Sequence, residues 1–252
     1  MSPLLSEYTP GYPRVLLIGP AGSGKTLLAT TLGARALVLD LNNGLASAKL
    51  YKDKFTLDRH QCEVKKLWDS TEPSAIWTRT VRTVQDFCAK PTHEVLVIDG
   101  LSDLAEAALG SVLQAGGKWD ENSASKVTQP DWGTAIGQVE RLLYRLRSVD
   151  AMVVMVGHTK LVLLDGVEQE IIGVYGKNLP GKIERMFDEV WFTRVEGFGS
   201  KRTFTLQTVT SGSRRCKTRR QLQSGTSMNE GMEELLRKVG WEWPEKKGGK
   251  VK

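Results

Sequence analysis

Disulfide and zinc frameworks are the first things this sequence rules out. It has only three cysteines, Cys62, Cys88 and Cys216, an odd number at wide spacing with no CxxC pair. That pattern supports neither a disulfide scaffold nor a zinc site, and it fits a reducing cytoplasm. Long apolar runs are also missing. None approaches the ~20 residues of a membrane-spanning helix. The opening MSPLLSEYTPGYPR has no charged segment followed by an apolar one, so no secretory signal is expected. There is no internal repeat and no long low-complexity stretch. Of the three histidines, His60 and His93 have no supporting context. What remains is an ordinary globular composition, 40% hydrophobic and 25% charged over 252 residues. That is enough for one well-buried core with appendages.

The net charge is +6, and its position says more than its size. Arg214, Arg215, Lys217, Arg219 and Arg220 form one cluster, and the segment from Glu245 to Lys252 is rich in lysine. Two readings stand: a surface that neutralises nucleic-acid phosphates, or a solvated basic tail. The domain reading follows the same shift in composition. Residues 1–212 form the core, and 213–252 form a basic extension with one short helix and a Lys-rich tail expected to be disordered.

Strand and helix signals alternate along the core, which implies a parallel sheet covered on both faces. Arg14–Ile18 reads as a strand and Lys25–Ala34 as its helix. Ala36–Asp40 and Gln61–Trp68 follow as strands, and Pro73–Lys90 as a helix. The apolar run Glu94–Ile98 ends in Asp99. Leu101, Leu104, Ala108 and Val112 then mark one face of a helix. After a polar loop over 114–130, Ile136, Val139, Leu143 and Leu146 mark another helix, with Asp131 expected as its N-cap. Ala151–Val156 is a further buried strand. Beyond it, Asp165-Gly166 signals a hairpin between Leu161–Leu164 and Glu170–Val174. Glu189–Val195 and Thr203–Val209 read as antiparallel strands. Ser227 and Glu230 have capping-box spacing before a helix carrying Met232, Leu235, Leu236 and Val239.

Gly19-Pro20-Ala21-Gly22-Ser23-Gly24-Lys25-Thr26 matches GxxxxGK followed by Ser or Thr throughout. It follows an apolar strand and opens a helix, the context the motif requires. Glycines let the backbone wrap phosphates, and a helix start presents N–H groups to the anion. Lys25 reaches the β- and γ-phosphates, and the Thr26 hydroxyl ligates Mg²⁺. The expected ATP cradle runs from Gly19 through the position after Thr26, which is Leu27. Asp99, at the end of its strand, is the expected second Mg²⁺ partner. His158 ends the strand Met152–Val156 in Gly157-His158, at the carboxyl edge where ligands of open sheets bind. Lys25, Asp99, Asp40 and His158 are the candidate catalytic groups.

These pieces, in this order, resemble the RecA-like ATPases, and most closely the small phage-encoded ATPases associated with single-strand annealing and recombination. The resemblance covers residues 12–220. It also uses Asn42-Asn43-Gly44 after the second strand, Gln129-Pro-Asp-Trp-Gly133 and Phe187-Asp188-Glu189-Val190. It implies a RecA-like α/β core with a mainly parallel sheet flanked by helices, plus C-terminal antiparallel strands. It also implies ATP and Mg²⁺ as cofactors, DNA-stimulated hydrolysis, single-stranded DNA as partner and a homo-oligomer, ring or filament. A single-strand DNA-binding protein is an implied companion, and a bacterial host cytoplasm the implied setting. Two segments match the DNA-touching loops of the family, Gln114–Pro130 with Lys118, Trp119 and Lys126, and Thr159–Lys182 with Lys160, Tyr175, Lys177 and Lys182. Lys217 and Arg219 match basic residues that reach into a neighbouring subunit's site. Three departures stand out. Asn42 occupies the place of the family's catalytic glutamate, His158 that of its sensor glutamine, and the long N-terminal region of the large recombinases is missing. Gly100 likewise holds no acid beside Asp99. Slow basal hydrolysis follows, with Asp40 the nearest carboxylate. A protein-remodelling AAA+ ATPase and a small-molecule kinase are the alternatives.

Overall fold

A computed structural model describes residues 11–46, 62–68, 71–120, 122, 126–164, 166–176, 178–198 and 201–243. Strand β1 (Arg14–Gly19) leads into α1 (Lys25–Thr30), and a 3₁₀ turn, Gly33–Arg35, precedes β2 (Ala36–Asp40). Strand β3 (Glu63–Lys66) precedes α2 (Pro73–Ala89). Then come β4 (Val95–Asp99), α3 (Leu101–Ala115), α4 (Gln129–Arg147), β5 (Met152–Leu164) and β6 (Val167–Ile172). The chain continues through α5 (Leu179–Met186), β7 (Glu189–Glu196), β8 (Thr203–Gln207), β9 (Lys217–Thr218), β10 (Thr226–Ser227) and α6 (Gly231–Lys238). The fold is mixed α/β, with a mostly parallel central sheet flanked by helices and antiparallel strands added late in the chain.

The sheet runs β10-β8-β7-β1-β5-β4-β2-β3. The strands from β7 to β3 are parallel, whereas β8 pairs antiparallel with β7 and β10 with β8. The inner strands are apolar at nearly every position because both faces are covered. Leu16, Ile18, Leu39, Leu96, Ile98 and Met155 meet α2, α3 and α4 on one face. Val15, Leu17, Val38, Val97 and Val154 meet α1 and α6 on the other. Strand β5 lies between β1 and β4, and its register sets Gly19 beside His158 and Asp99 beside Val156. Asp40 stands beside Asp99 on the next strand. The three candidate functional strand ends therefore share one edge.

Several local expectations shift. Helix α1 is shorter than the expected Lys25–Ala34. Asp131 sits in the first turn of α4 rather than at its N-cap. The cap is Thr128, whose N–H and hydroxyl donate to the Asp131 carboxylate at 2.8 and 2.7 Å. Ser227 caps a 3₁₀ turn, Met228–Glu230, with α6 following it. The hairpin forms between β5 and β6, although Asp165 at its turn lies outside the described residues. The segment set apart from residue 213 onward is continuous with the core. Leu222, Met228, Met232, Leu235 and Leu236 are all buried in the cluster that covers α1, and the Met232 N–H donates to Thr31 Oγ1 at 2.7 Å. The Lys-rich tail, residues 244–252, lies outside the described residues.

Candidate nucleotide site

The P-loop is braced from two sides. Ser23 donates to the Pro20 carbonyl at 2.8 Å. Its hydroxyl lies 2.5 Å from that of Thr193 on β7, which donates in turn to the Ile18 carbonyl at 3.2 Å. The sequence reading missed Thr193, because nothing marks one threonine in the apolar run Val-Trp-Phe-Thr as a partner of a loop 170 residues away. Lys25 is buried, and its ammonium donates to the carbonyls of Gly19 (2.9 Å) and Pro20 (2.7 Å) and to Ser23 Oγ (3.3 Å). Burial pulls its pKa down to about 8, and the charge of Asp99 partly offsets the fall. Leu27 offers no side-chain donor, and its carbonyl accepts from Thr30 Oγ1.

Asp99 is 1% exposed, and apart from the nearby Thr26 hydroxyl its carboxylate oxygens have no hydrogen-bond partner among the described residues. Burial raises its carboxyl to about 6; Asp40 and Asp103 add to the rise, while Thr26 and Lys25 oppose it. An unpartnered buried carboxylate is costly unless a cation or donor meets it. Gly44 lies close against this carboxylate. A Cβ at that position would lie 2.7 Å from Asn42 Oδ1, 3.0 Å from Asp99 Oδ2 and 3.3 Å from Thr26 Oγ1. Asp99 Oδ2 and Thr26 Oγ1 thus lie near one another beside that glycine, hard oxygen donors of the kind a divalent cation such as Mg²⁺ takes. Thr26 and Asp99 are the residues that would hold it.

Asp40 also holds the turn that follows β2. It is 2% exposed, and its Oδ1 accepts the Gly44 N–H at 3.2 Å. Burial raises its carboxyl, while backbone groups of Asn42, Gly44 and Asn43 and the Trp68 side chain all pull the other way. The carboxylate therefore organises the turn 41–44. On the other side of the site, His158 is half-buried, and burial followed by Lys25 lowers its pKa, with Asp103 opposing. The imidazole is neutral at pH 7 and sits in the fields of both the lysine and Asp103.

Asp103 itself escaped the sequence reading. It sits in the first turn of α3, where its Oδ2 accepts a hydrogen bond from Asn42 Nδ2 at 3.4 Å. The available signal was its spacing, one helical turn after Asp99. Gly100 has φ of 111°, and a Cβ there would lie 2.9 Å from Asp103 Oδ2 and 3.1 Å from Leu41 Cβ. The position beside Asp99 that lacks an acid is thus overlooked by the acid of Asp103.

A P-loop followed by an acidic strand end, with a third strand inserted between them, is the core of an AAA-type ATPase. The chain belongs to the AAA_24 family of AAA domains. The family model matches residues 12–219. No curated protein matches the chain. Among solved structures, a KaiC-like protein from the hyperthermophilic archaeon Pyrococcus horikoshii OT3 is 12% identical over 84% of each chain, with a TM-score of 0.45. Membership of an AAA family makes this a P-loop NTPase domain, with nucleotide and usually Mg²⁺ as its ligands.

The expected DNA-binding cations of this AAA domain are not brought together into one open patch. Lys118 pairs with Asp131 at 2.6 Å, and Lys182 with Glu140 at 2.6 Å. Lys126 pairs with Asp120, and Lys160 donates to the Val174 carbonyl at 2.5 Å. Lys177 lies outside the described residues. Trp119 keeps 44% of its surface exposed. Tyr175 is not free to stack on a base, because it packs against Trp132 and donates to the Ala105 carbonyl at 2.9 Å. Lys217 donates to the Phe187 carbonyl, and Arg219 pairs with Asp188 at 2.9 Å. Both lie by the first residues of β7, at the sheet end opposite their own P-loop. Asp188 also accepts the Arg14 N–H at 3.0 Å, while buried Glu189 accepts the N–H groups of Arg219 and Arg220 and the Trp191 indole. The Asp188-Glu189 pair therefore clasps the starts of β1 and β7 to the segment after β9. Among the described residues, no helix is long and apolar enough to cross a membrane.

Proposed function

We propose that this AAA domain is an ATP-dependent, single-stranded-DNA-binding ATPase that assists phage-type recombination or strand annealing. It acts as a homo-oligomer, ring or filament, alongside a single-strand DNA-binding protein. The observation that carries the reading is Trp119, an indole 44% exposed between Lys118 and Lys126. Bases stack on exposed rings while neighbouring cations track phosphates. The acid partners of those lysines are little obstacle, since surface ion pairs are worth only about 0–1 kcal/mol and a phosphate can replace a carboxylate.

At the nucleotide, Lys25 exchanges loop carbonyls for phosphate oxygens, a charge-assisted contact stronger than the one it gives up. Mg²⁺ held by Thr26 and Asp99 would neutralise charge on the phosphates when bound. Neutral His158 can donate or accept a single hydrogen bond at the terminal phosphate or its water. Basal turnover is slow in the absence of DNA, and ATP serves chiefly as a conformational ligand for DNA binding or assembly.

The test is ATP hydrolysis with and without single-stranded oligonucleotide, read beside Trp119 fluorescence across a salt series. The expected result is DNA-stimulated turnover, quenched indole emission and binding that weakens steeply with salt. Trp119→Ala should weaken binding by about 1–3 kcal/mol, the range of one base–aromatic stack. Turnover indifferent to DNA, or affinity flat with salt, sinks the reading. A second reading, a protein remodeller, draws on Leu161 and Leu163, which are 62% and 73% exposed on the β5–β6 hairpin. It gains if DNA leaves the ATPase unchanged and Leu161→Ser/Leu163→Ser alters assembly or partner capture.

A further inference from the structure

We propose that Asp103 is the catalytic base of this ATPase, with Asn42 orienting the water it deprotonates. The proposal rests on the reading that the domain hydrolyses ATP, but not on DNA as its activator. Phosphoryl transfer to water needs a group that aligns the nucleophile and takes its proton. The residues just beyond the two acidic strand ends, Asn42 after Asp40 and Gly100 after Asp99, carry no carboxylate. The fold refills that space from α3. The Asp103 carboxylate approaches within 2.9 Å of where a side chain at Gly100 would begin, and it accepts from the Asn42 amide at 3.4 Å. Asn42 has a second anchor, its Oδ1 accepting the Gly44 N–H at 2.8 Å, so its amide is held between the turn at Gly44 and Asp103.

The other acids near the site are less suited. Asp40 already accepts donors from its own turn and is almost fully buried. Asp99, with Thr26, would hold the cation. Glu106 is exposed and lies a further turn along α3. Asp103 is partly accessible and feels His158, Asp40, Asp99 and Glu106 around it. Burial, the largest influence, makes its carboxyl a stronger proton acceptor than a surface aspartate, with its own backbone N–H, Asn42 and His158 tempering the rise and Asp40 adding to it.

The water oxygen bonds to the γ-phosphorus and its proton passes to an Asp103 carboxylate oxygen. The bond from phosphorus to the β,γ-bridging oxygen breaks, and its electron pair stays on ADP. Asp103 then returns the proton to solvent.

The test uses the full chain and three variants, Asp103→Asn, Asp103→Glu and Asp40→Asn. Each is measured for affinity toward a fluorescent ATP analogue with Mg²⁺, for kcat at saturating ATP, and for melting temperature. Asp103→Asn should keep its nucleotide Kd and melting temperature while kcat falls about 10²–10⁴-fold. It should also lose the acid limb of the pH–kcat profile, and Asp103→Glu should restore part of the rate. Asp40→Asn should act through Kd instead, because Asp40 holds the turn that sets Gly44 beside Asp99. Three results overturn the proposal: Asp103→Asn turning over at the wild-type rate, Asp103→Asn losing ATP binding together with turnover, or a wild-type chain that binds ATP and never hydrolyses it. Absence of DNA stimulation would remove the DNA reading alone, since the kcat comparison among the variants does not need DNA.

Discussion

Gly19 and Pro20 lend Lys25 their carbonyls, so any phosphate oxygen must compete with the loop for that ammonium. Lys25→Ala removes one charge-assisted contact worth about 1.5–3 kcal/mol, and nucleotide affinity should fall roughly 10–150-fold. Folding should not suffer, since a desolvated ammonium leaves with the side chain; calorimetric titration beside a melting curve checks both. Asp99 makes the same region pH-sensitive. Its carboxyl is raised from 3.8 to about 6, so between those values the folded chain holds more protons than the unfolded one. The metal-free fold therefore gains stability from this group as pH falls from 6 towards 4, and loses it as pH rises. A divalent cation needs the ionised form, so its affinity moves the opposite way. At pH 5, one unit below that value, Mg²⁺ affinity should be about tenfold weaker than at pH 7, where it is level. A Mg²⁺ titration showing equal affinity at both pH values would separate Asp99 from the cation.

Whole elements were largely legible in the sequence, for a physical reason. Strands buried on both faces, such as Val95–Asp99, become unbroken apolar runs, and a P-loop demands its own residue types. The pieces that stayed hidden depend on pairs distant in the chain. Asp103 acquires meaning only beside Asn42, 61 residues away, and Thr193 only beside Ser23. The late segment is a related case. Its cluster of arginines resembles a solvated tail, yet one of them, Arg214, pairs with Glu170 at 2.9 Å and stacks over Phe192. Helix α6 shows how firmly this segment belongs to the core. Met232 is fully buried against the α1 side of the sheet, and Met232→Ala should cost about 2–5 kcal/mol. Because α6 abuts the P-loop helix, nucleotide affinity should weaken with it. Denaturant unfolding with and without ATP measures both, and an unchanged midpoint would show that α6 is a mere appendage.

For the whole molecule, we propose that Lys217 and Arg219 complete a site between copies. They sit at the sheet end opposite their own P-loop, beyond reach of its phosphates, so any role at a phosphate must be played on a neighbour. Mixed assemblies of Lys217→Ala/Arg219→Ala chains with Lys25→Ala chains should regain turnover that neither has alone, and no recovery in a confirmed oligomer counts against it. Strand β5 raises a mechanical point at the same scale. Thirteen residues run without a break from the sheet centre through His158 to the hairpin turn. At ~3.3 Å per residue, the six beyond the imidazole make a spoke of about 20 Å. Backbone pairing to β6 stiffens that spoke and leaves no joint along it. A small tilt at the phosphate end is therefore magnified at Leu161 and Leu163, as the swing of a gauge needle magnifies the turn of its pivot.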